Sequence, residues 1–225
     1  MNEQKRKKNT VKGYVWLMLS AVFVAGVWFA NFSMEPVKKK SVSEKKLQQG
    51  FIFPERVPLP QGVTLRNQNN EIVHSEQIKD KWQLIFPGYT FCPDVCPTTL
   101  NVLSKVYKEL SEEEKRRVDF VLLSVDPKRD TPERLSEYLN FFNADFKGLT
   151  GTEKAIQKIT FGMGVVYNRA MENDKDGNYA VDHTSKLFVY DPQGRRVAIL
   201  NPSVNPGGTG FESQVVLADL RRILH

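Results

Sequence analysis

The chain has 225 residues, of which 40% are hydrophobic, and a formal net charge of +6; it is long enough for one or two domains with a real core. The charge is unevenly distributed, because residues 1–56 contain 11 Lys and Arg against 4 Asp and Glu, whereas residues 57–225 have a net charge of −1. A nucleic-acid-binding domain is itself basic, so this distribution argues against nucleic acid as a partner of the main body.

The first predicted element is an apolar segment at residues 13–34, which contains no charged residue. A helix of this length, at about 1.5 Å per residue, crosses a hydrocarbon core of about 30 Å. A cleaved signal peptide has a shorter apolar region and a small-x-small cleavage site, which this segment lacks. We therefore predict an uncleaved single transmembrane helix, preceded by a tail at residues 1–12 and followed by a polar tether at residues 35–56. Lysines on both sides leave its orientation open from charge alone.

Strand-like and helix-like patterns alternate from Val57 onward. Buried strands are predicted in "KWQLIF" and "DFVLLSV", and helices in "PTTLNVLSKVYKEL", "DTPERLSEYLNFF" and "TEKAIQKITFGM". Thr131 or Asp130 is the predicted N-cap of the second of these helices. A hairpin in "SKLFVYDPQGRRVAIL" and an amphipathic helix in "FESQVVLADLRRIL" complete the chain. This order predicts an α/β, thioredoxin-like domain at residues 57–225, with a central mixed sheet flanked by helices.

The two cysteines of the chain, Cys92 and Cys96, both lie in "GYTFCPDVCPTTL", between a predicted strand and a predicted helix. A structural disulfide, a redox pair and a metal site are the three interpretations. A helix N-terminus stabilises thiolates, which serve as nucleophiles or as metal ligands. Redox dithiols of the thioredoxin type have two intervening residues, and here there are three. Positions i and i+4 place both sulfurs on one side of a helical turn, which favours the metal site.

A metal site needs further ligands, and the chain has three histidines. His225 is the last residue, and His74 has no cysteine or second histidine close to it, so both are predicted to be surface residues. His183 precedes a predicted strand in a loop that can face the cysteine segment of a thioredoxin-like sheet. Two thiolates and one imidazole suit copper. The residues alone leave the redox pair open as the alternative.

Four segments in order, "GYTFCPDVCPTTL", "SVDPKRDTPERL", "FKGLTGT" and "DHTSKLFVYDPQG", strongly resemble the Sco/SenC family of copper proteins. The resemblance implies a membrane-anchored, thioredoxin-like protein that assembles the dinuclear copper (CuA) centre of cytochrome c oxidase. Such a protein acts as a copper chaperone, as a thiol–disulfide reductase of the target cysteines, or as both. The family's ligands for Cu(I) or Cu(II) carry over to Cys92, Cys96 and His183, and its two loop acidic residues match Asp94 and Asp126.

The resemblance also implies the partners and the location. The expected partners are subunit II of cytochrome c oxidase, other copper chaperones or thiol reductants, and the membrane. The expected location is the inner membrane, with a cytoplasmic tail at residues 1–12 and the domain at residues 57–225 in the periplasm or another extracytoplasmic space. A metallochaperone is favoured over an enzyme, and Cys92 and Cys96 are the redox-capable pair. The Pro- and Gly-rich stretch at residues 201–210 departs from the family pattern, which leaves its role in partner docking open.

Overall fold

An eight-stranded mixed sheet is the centre of the computed structural model. The structure describes Trp28 and residues 46–169, 179–205 and 208–225. The predicted tail, most of the predicted anchor at residues 13–34, and residues 35–45 of the predicted tether lie outside the described residues. Within the described ranges no helix has the length and apolar character that a membrane span requires. The chain divides into two units, Met1–Val42 and Ser43–His225, and the second contains the elements below.

The second unit contains five described α-helices and twelve described strands. The strands are β1 (Gly50–Pro58), β2 (Thr64–Asn67), β3 (Ile72–His74), β4 (Trp82–Gly88), β5 (Val118–Ser124), β6 (Lys147–Gly151), β7 (Tyr167–Arg169), β8 (Val181–His183), β9 (Leu187–Tyr190), β10 (Arg195–Leu200), β11 (Ser203–Asn205) and β12 (Gly208–Gly210). The helices are α1 (Val95–Glu109), α2 (Glu112–Arg117), α3 (Pro132–Phe142), α4 (Glu153–Met163) and α5 (Ser213–Leu224), and a 3₁₀ turn spans Ser75–Gln77.

The sheet order is β1-β10-β9-β4-β5-β6-β2-β3. Strands β4, β5 and β6 are parallel, whereas β9 pairs antiparallel with both β4 and β10. The β4–α1–β5 crossover is therefore followed, after further elements, by an antiparallel hairpin and a final helix. This confirms the predicted thioredoxin-like arrangement with a mixed sheet. Strands β7 and β8, and β11 and β12, form two small additional sheets.

The middle residues of the central strands β4 and β5 are apolar, because helices cover both faces of the sheet. Leu84 and Phe86 of β4 belong to the core that includes residues of α1, α3 and α5. Ile85 points to the other core, which includes Ile156 and Ile159 of α4. This alternation explains why β4 and β5 were recognisable as continuous apolar runs. The cysteine segment begins at the end of β4.

The start of the folded unit differs from the predicted tether at residues 35–56. Leu47 is buried, and the backbone N–H groups of Gln48 and Gln49 donate hydrogen bonds to the Asp219 carboxylate at 2.8–2.9 Å. Strand β1 then pairs with β10. The polar composition of this stretch indicated a linker, but strand pairing and these contacts are made by backbone groups, which every residue except proline supplies in full. The prediction that the tether extends to residue 56 is therefore wrong, because Leu47 and strand β1 already belong to the folded unit.

Asp219→Ala is expected to lower the free energy of unfolding by about 2 kcal/mol, because it removes the buried carboxylate to which the N–H groups of Gln48 and Gln49 donate. Faster hydrogen exchange at these two amides, together with urea unfolding, is the measurement. Glu137→Ala, at an exposed position of α3, is the control and should leave both quantities unchanged. Unaltered exchange at Gln48 and Gln49 in Asp219→Ala would contradict the prediction.

Candidate metal centre

The structure brings Cys92, Cys96 and His183 together. The two sulfur atoms and a ring nitrogen of His183 all lie within 4.8 Å of one another. Both cysteines are free thiols, so they form no disulfide in this structure. Among the described residues this is the one group of three or more Cys, His, Asp or Glu side chains with the spacing of a metal site.

The cysteine segment connects the end of β4 to the first turn of α1. Asp94 occupies the N-cap position of α1, and Cys96 and Pro97 lie in its first turn. The backbone N–H of Cys96 donates to Cys92 Sγ at 3.4 Å. Cys96 is fully buried, whereas Cys92 is half-buried. The segment therefore presents one accessible sulfur and one enclosed sulfur to the same space.

Gly88 at the end of β4 allows this close packing. A Cβ atom at this position would lie 3.1 Å from Cys96 Sγ and 3.0 Å from a Leu122 methyl carbon. Both distances are shorter than ordinary van der Waals contact between such atoms. A larger residue at position 88 would therefore push Cys96 away from its place beside His183.

His183 is the last residue of β8 and is enclosed by two aromatic rings. The rings of Phe86 and Tyr89 lie edge-on to the imidazole at centroid distances of 6.2 and 5.8 Å. Its Nε2 is 3.5 Å from Cys96 Sγ, and its Nδ1 is 3.3 Å from the carbonyl oxygen of Thr184. A carbonyl oxygen only accepts hydrogen bonds, so we assign the proton to Nδ1. The lone pair of Nε2 then faces the sulfurs, as a metal-binding imidazole requires.

A hydrogen bond joins the cysteine segment to the strand that carries His183. The backbone N–H of Val181 donates to the hydroxyl oxygen of Tyr89 at 3.2 Å. Tyr89 lies three residues before Cys92, and Val181 lies two residues before His183. This contact therefore sets the distance between the two parts of the chain that supply the three side chains.

The two thiols differ in acidity. A hydrogen bond from Cys96 lowers the pKa of Cys92 to about 3, against the opposing effect of burial. The pKa of Cys96 is raised because this thiol donates a hydrogen bond to Cys92 and is itself buried. In the metal-free chain the pair therefore holds one proton at neutral pH, on Cys96, and Cys92 is the thiolate.

Alkylation of the metal-free chain by iodoacetamide is expected to be nearly independent of pH between about pH 5 and 9, because Cys92 with a pKa of about 3 stays ionised throughout. An ordinary thiol loses about tenfold in rate per pH unit below its pKa of about 8.5. Cys96→Ala removes the largest cause of the lowered pKa and should shift the profile upward. A wild-type profile that follows an ordinary thiol would contradict the assignment.

The two predicted acidic residues take different positions. Asp94 is exposed, and Asp126 is fully buried, where it accepts a hydrogen bond from the Tyr179 hydroxyl at 2.6 Å and pairs with Arg129. The Arg129 guanidinium stacks on the Tyr179 ring at 3.6 Å. Neither carboxylate belongs to the three-residue cluster. Asp126 therefore supports the segment that leads into β8 rather than the cluster itself.

Asp130 is a supporting residue that the sequence reasoning missed. Its carboxylate is fully buried and accepts hydrogen bonds from the Thr90 N–H and hydroxyl and from the Ser124 hydroxyl, the last at 2.6 Å. Asp130 had been considered only as an N-cap of α3, a role that Thr131 fills through Arg134 N–H. Its position next to the N-cap of α3 accounted for an acidic residue here, so no other role was predicted. In the structure Asp130 holds Thr90, two residues before Cys92.

The other two histidines lie on the surface. His74 is exposed and contacts the Thr64 hydroxyl at 3.3 Å, and His225 is exposed at the C-terminus. Neither belongs to a metal-type cluster within the part of the chain that the structure covers. His74 is therefore a suitable control position for substitutions of His183.

Comparisons with known proteins agree with one another on a single family. Residues 59–212 match the family model SCO1/SenC. An "SCO2-like protein" from Rickettsia felis is 33% identical over 193 residues, which are 85% of this chain and 89% of the relative. The structure of Bradyrhizobium japonicum ScoI with copper bound is 35% identical, with a TM-score of 0.61, and covers 74% of this chain and 99% of that one.

The apo Sco1 structure from Thermus thermophilus is 32% identical, with a TM-score of 0.63, and covers 76% of this chain and 94% of that one. The family model matches more than half of the chain, and the alignment with the Rickettsia felis relative covers most of both sequences. Both findings agree with the fold. This chain therefore belongs to the SCO1/SenC family.

Proposed function

We propose that this chain is a copper-binding protein that assists assembly of the CuA centre of cytochrome c oxidase. Cys92 and Cys96 bind copper as thiolates, and His183 binds it as a neutral imidazole through Nε2. The observation that carries this proposal is the approach of the three ligand atoms to within 4.8 Å of one another. The copper-bound ScoI structure from Bradyrhizobium japonicum supports copper as the metal.

The chemistry of the three side chains suits copper. Thiolates are soft ligands that favour Cu(I), and imidazole binds copper in both oxidation states. Three protein ligands leave room for a ligand from a partner, and Cys92 and His183 are only half-buried. Copper is therefore the cargo of this site, and it passes to thiol and imidazole groups of oxidase subunit II by stepwise ligand exchange.

We also propose an arrangement at the membrane. Residues 13–34 form a single-span anchor in the cytoplasmic membrane, with residues 1–12 inside and the domain outside the cytoplasm. The charge-free length of residues 13–34 supports the anchor, and family membership supports the orientation. Other copper chaperones or thiol reductants would supply copper or electrons to the domain in that space.

His183→Ala tests the copper site. Purified wild-type chain is expected to retain close to one copper per chain, and His183→Ala is expected to lose copper affinity by more than about tenfold, because a direct ligand is removed. In cells, His183→Ala should lower the CuA content of the oxidase. His74→Ala is the matched control and should bind copper as the wild type does. Copper binding that does not depend on His183 would contradict the proposal.

A thiol–disulfide reductase is the second candidate, and the unequal exposure of the two thiols favours it. Accessible Cys92 attacks one sulfur of a target disulfide and forms a mixed disulfide, and the target's other sulfur leaves as a thiolate. Cys96 then loses its proton and attacks Cys92 Sγ. This step releases the reduced target, and a Cys92–Cys96 disulfide remains; a thiol reductant must reduce it. Oxidase assembly that survives His183→Ala but fails in Cys92→Ser would favour this candidate.

A further inference from the structure

A groove of about 730 Å³ lies at the end of β6, away from the cysteine and histidine cluster. It is bordered by β2 and by the first turns of α3 and α4. Neither the two cysteines nor His183 lines it. In α/β folds, ligands bind preferentially at the carboxyl ends of parallel strands, and β6 is one of the three parallel strands here.

Thr150 of β6 lines this groove with an unpaired hydroxyl. Its side chain is 4% exposed, and its Oγ1 has no hydrogen-bond partner among the residues that the structure describes. Buried hydroxyl groups in folded proteins are nearly always paired. A ligand that accepts a hydrogen bond in the groove would satisfy this group.

Three cations line the same groove, namely Arg66, Lys154 and Lys158. Arg66 donates to the backbone and side-chain oxygens of Asn70, and Lys158 donates to the carbonyl oxygen of Gly62. All of these acceptors are neutral. Within the described ranges none of the three cations forms an ion pair, so their positive charge is not compensated by a carboxylate. Arg66 also lies directly across from Thr150 in the pairing of β2 with β6.

The first turns of two helices add to the positive potential. Thr131 and Pro132 at the start of α3, and Thr152 and Lys154 at the start of α4, line the groove. Both helices have 11 residues. Helix N-termini carry partial positive charge and free N–H groups, which favour bound anions.

Asp130 is the one acidic residue among those that line the groove. Its two oxygens already accept hydrogen bonds from Thr90 and Ser124. Burial raises the pKa of this carboxyl, although the hydrogen bonds from Ser124 and Thr90 act in the opposite direction. Three cations line the groove against this one acidic residue, so the summed charge of the lining side chains is positive.

We propose that this groove binds a small oxyanion of the phosphate class. The Thr150 hydroxyl donates a hydrogen bond to it, and Arg66, Lys154 and Lys158 supply the charge. The phosphate is either free inorganic phosphate or the phosphodiester of a lipid headgroup, which has the same chemistry. None of the three proposed copper ligands lines the groove, so the test uses the full chain without metal and with reduced thiols.

The experiment measures the thermal unfolding midpoint as a function of phosphate concentration at constant ionic strength, with chloride as the replacement anion. Phosphate is expected to raise the midpoint in a saturable way, as a ligand of the native state does. Lys154→Gln should weaken the apparent affinity by about tenfold, since a charge-assisted contact is lost. Lys105→Gln, on α1 and outside the groove, is the matched control and should keep the wild-type affinity.

Thr150→Val separates binding from folding. Because the hydroxyl has no partner in the protein, the midpoint without phosphate should not fall, whereas phosphate affinity should fall by about tenfold. Glycerophosphoglycerol, a phosphodiester without acyl chains, is the second probe. Equal affinity for it assigns the site to headgroups, and preference for inorganic phosphate assigns it to the free anion. No saturable shift with either probe, or equal affinity in Lys154→Gln and Lys105→Gln, overturns the proposal.

Discussion

Cys96→Ser is expected to reduce the affinity of the chain for Cu(I) by more than about a hundredfold, because a neutral hydroxyl replaces a soft thiolate as a direct ligand. Cys96 is fully buried beside His183 Nε2, and the chain has no third cysteine that could replace it. Competition with a chromogenic Cu(I) chelator, under reducing conditions without oxygen, measures the affinity.

Two comparisons make the result specific to the ligand. Serine is nearly the same size as cysteine, so the urea unfolding midpoint of metal-free Cys96→Ser should stay close to that of the wild type. Thr98→Ser, at an exposed position two residues further along α1, should bind copper normally. A Cys96→Ser variant that competes with the chelator as well as the wild type does would exclude Cys96 as a ligand.

Asp130→Ala is expected to lower the free energy of unfolding by about 3 kcal/mol, the largest stability effect that we predict. The substitution leaves the Thr90 N–H, the Thr90 hydroxyl and the Ser124 hydroxyl without their acceptor, and buried unpaired donors are costly. Urea unfolding of the metal-free chain measures the effect. Thr90 lies close to Cys92, so copper affinity should fall as well.

The matched control is Asp130→Asn, which keeps one acceptor oxygen in the same shape. Its loss of stability should be less than half of that in Asp130→Ala. Equal losses in the two variants would mean that the hydrogen bonds to Thr90 and Ser124 do not account for the effect. A loss in Asp130→Ala below about 1 kcal/mol would contradict the predicted role of this carboxylate.

The sequence predicted the regular elements of the domain well because their signals are local. Each of these signals is formed by residues that are close together in the sequence. They are the apolar runs of β4 and β5 and the helical periods of α1, α3 and α4. The start of the domain was predicted less well. Contacts of Gln48 and Gln49 with Asp219 join positions about 170 residues apart, and no local sequence pattern predicts them.

The supporting residues of the site show the same limit. Asp126 and Asp130 are both acidic residues in one turn after β5, and the sequence does not distinguish them. In the structure Asp126 bonds to Tyr179, whereas Asp130 bonds to Thr90 and Ser124. The unpaired hydroxyl of Thr150 is likewise invisible in the sequence, since threonine is an ordinary residue in a strand.

The sequence by itself determined that Cys92 and Cys96 share the entry to a helix, because their spacing and the helix start are local features. It also narrowed the candidate imidazole to His183. Only the tertiary structure decided that His183 Nε2 lies 3.5 Å from Cys96 Sγ, across 87 positions of the chain. That approach depends on the packing of β8 against Phe86 and Tyr89 and on the Val181–Tyr89 hydrogen bond. Such contacts between distant segments follow from the whole fold, whereas the spacing of the two cysteines follows from one turn of backbone.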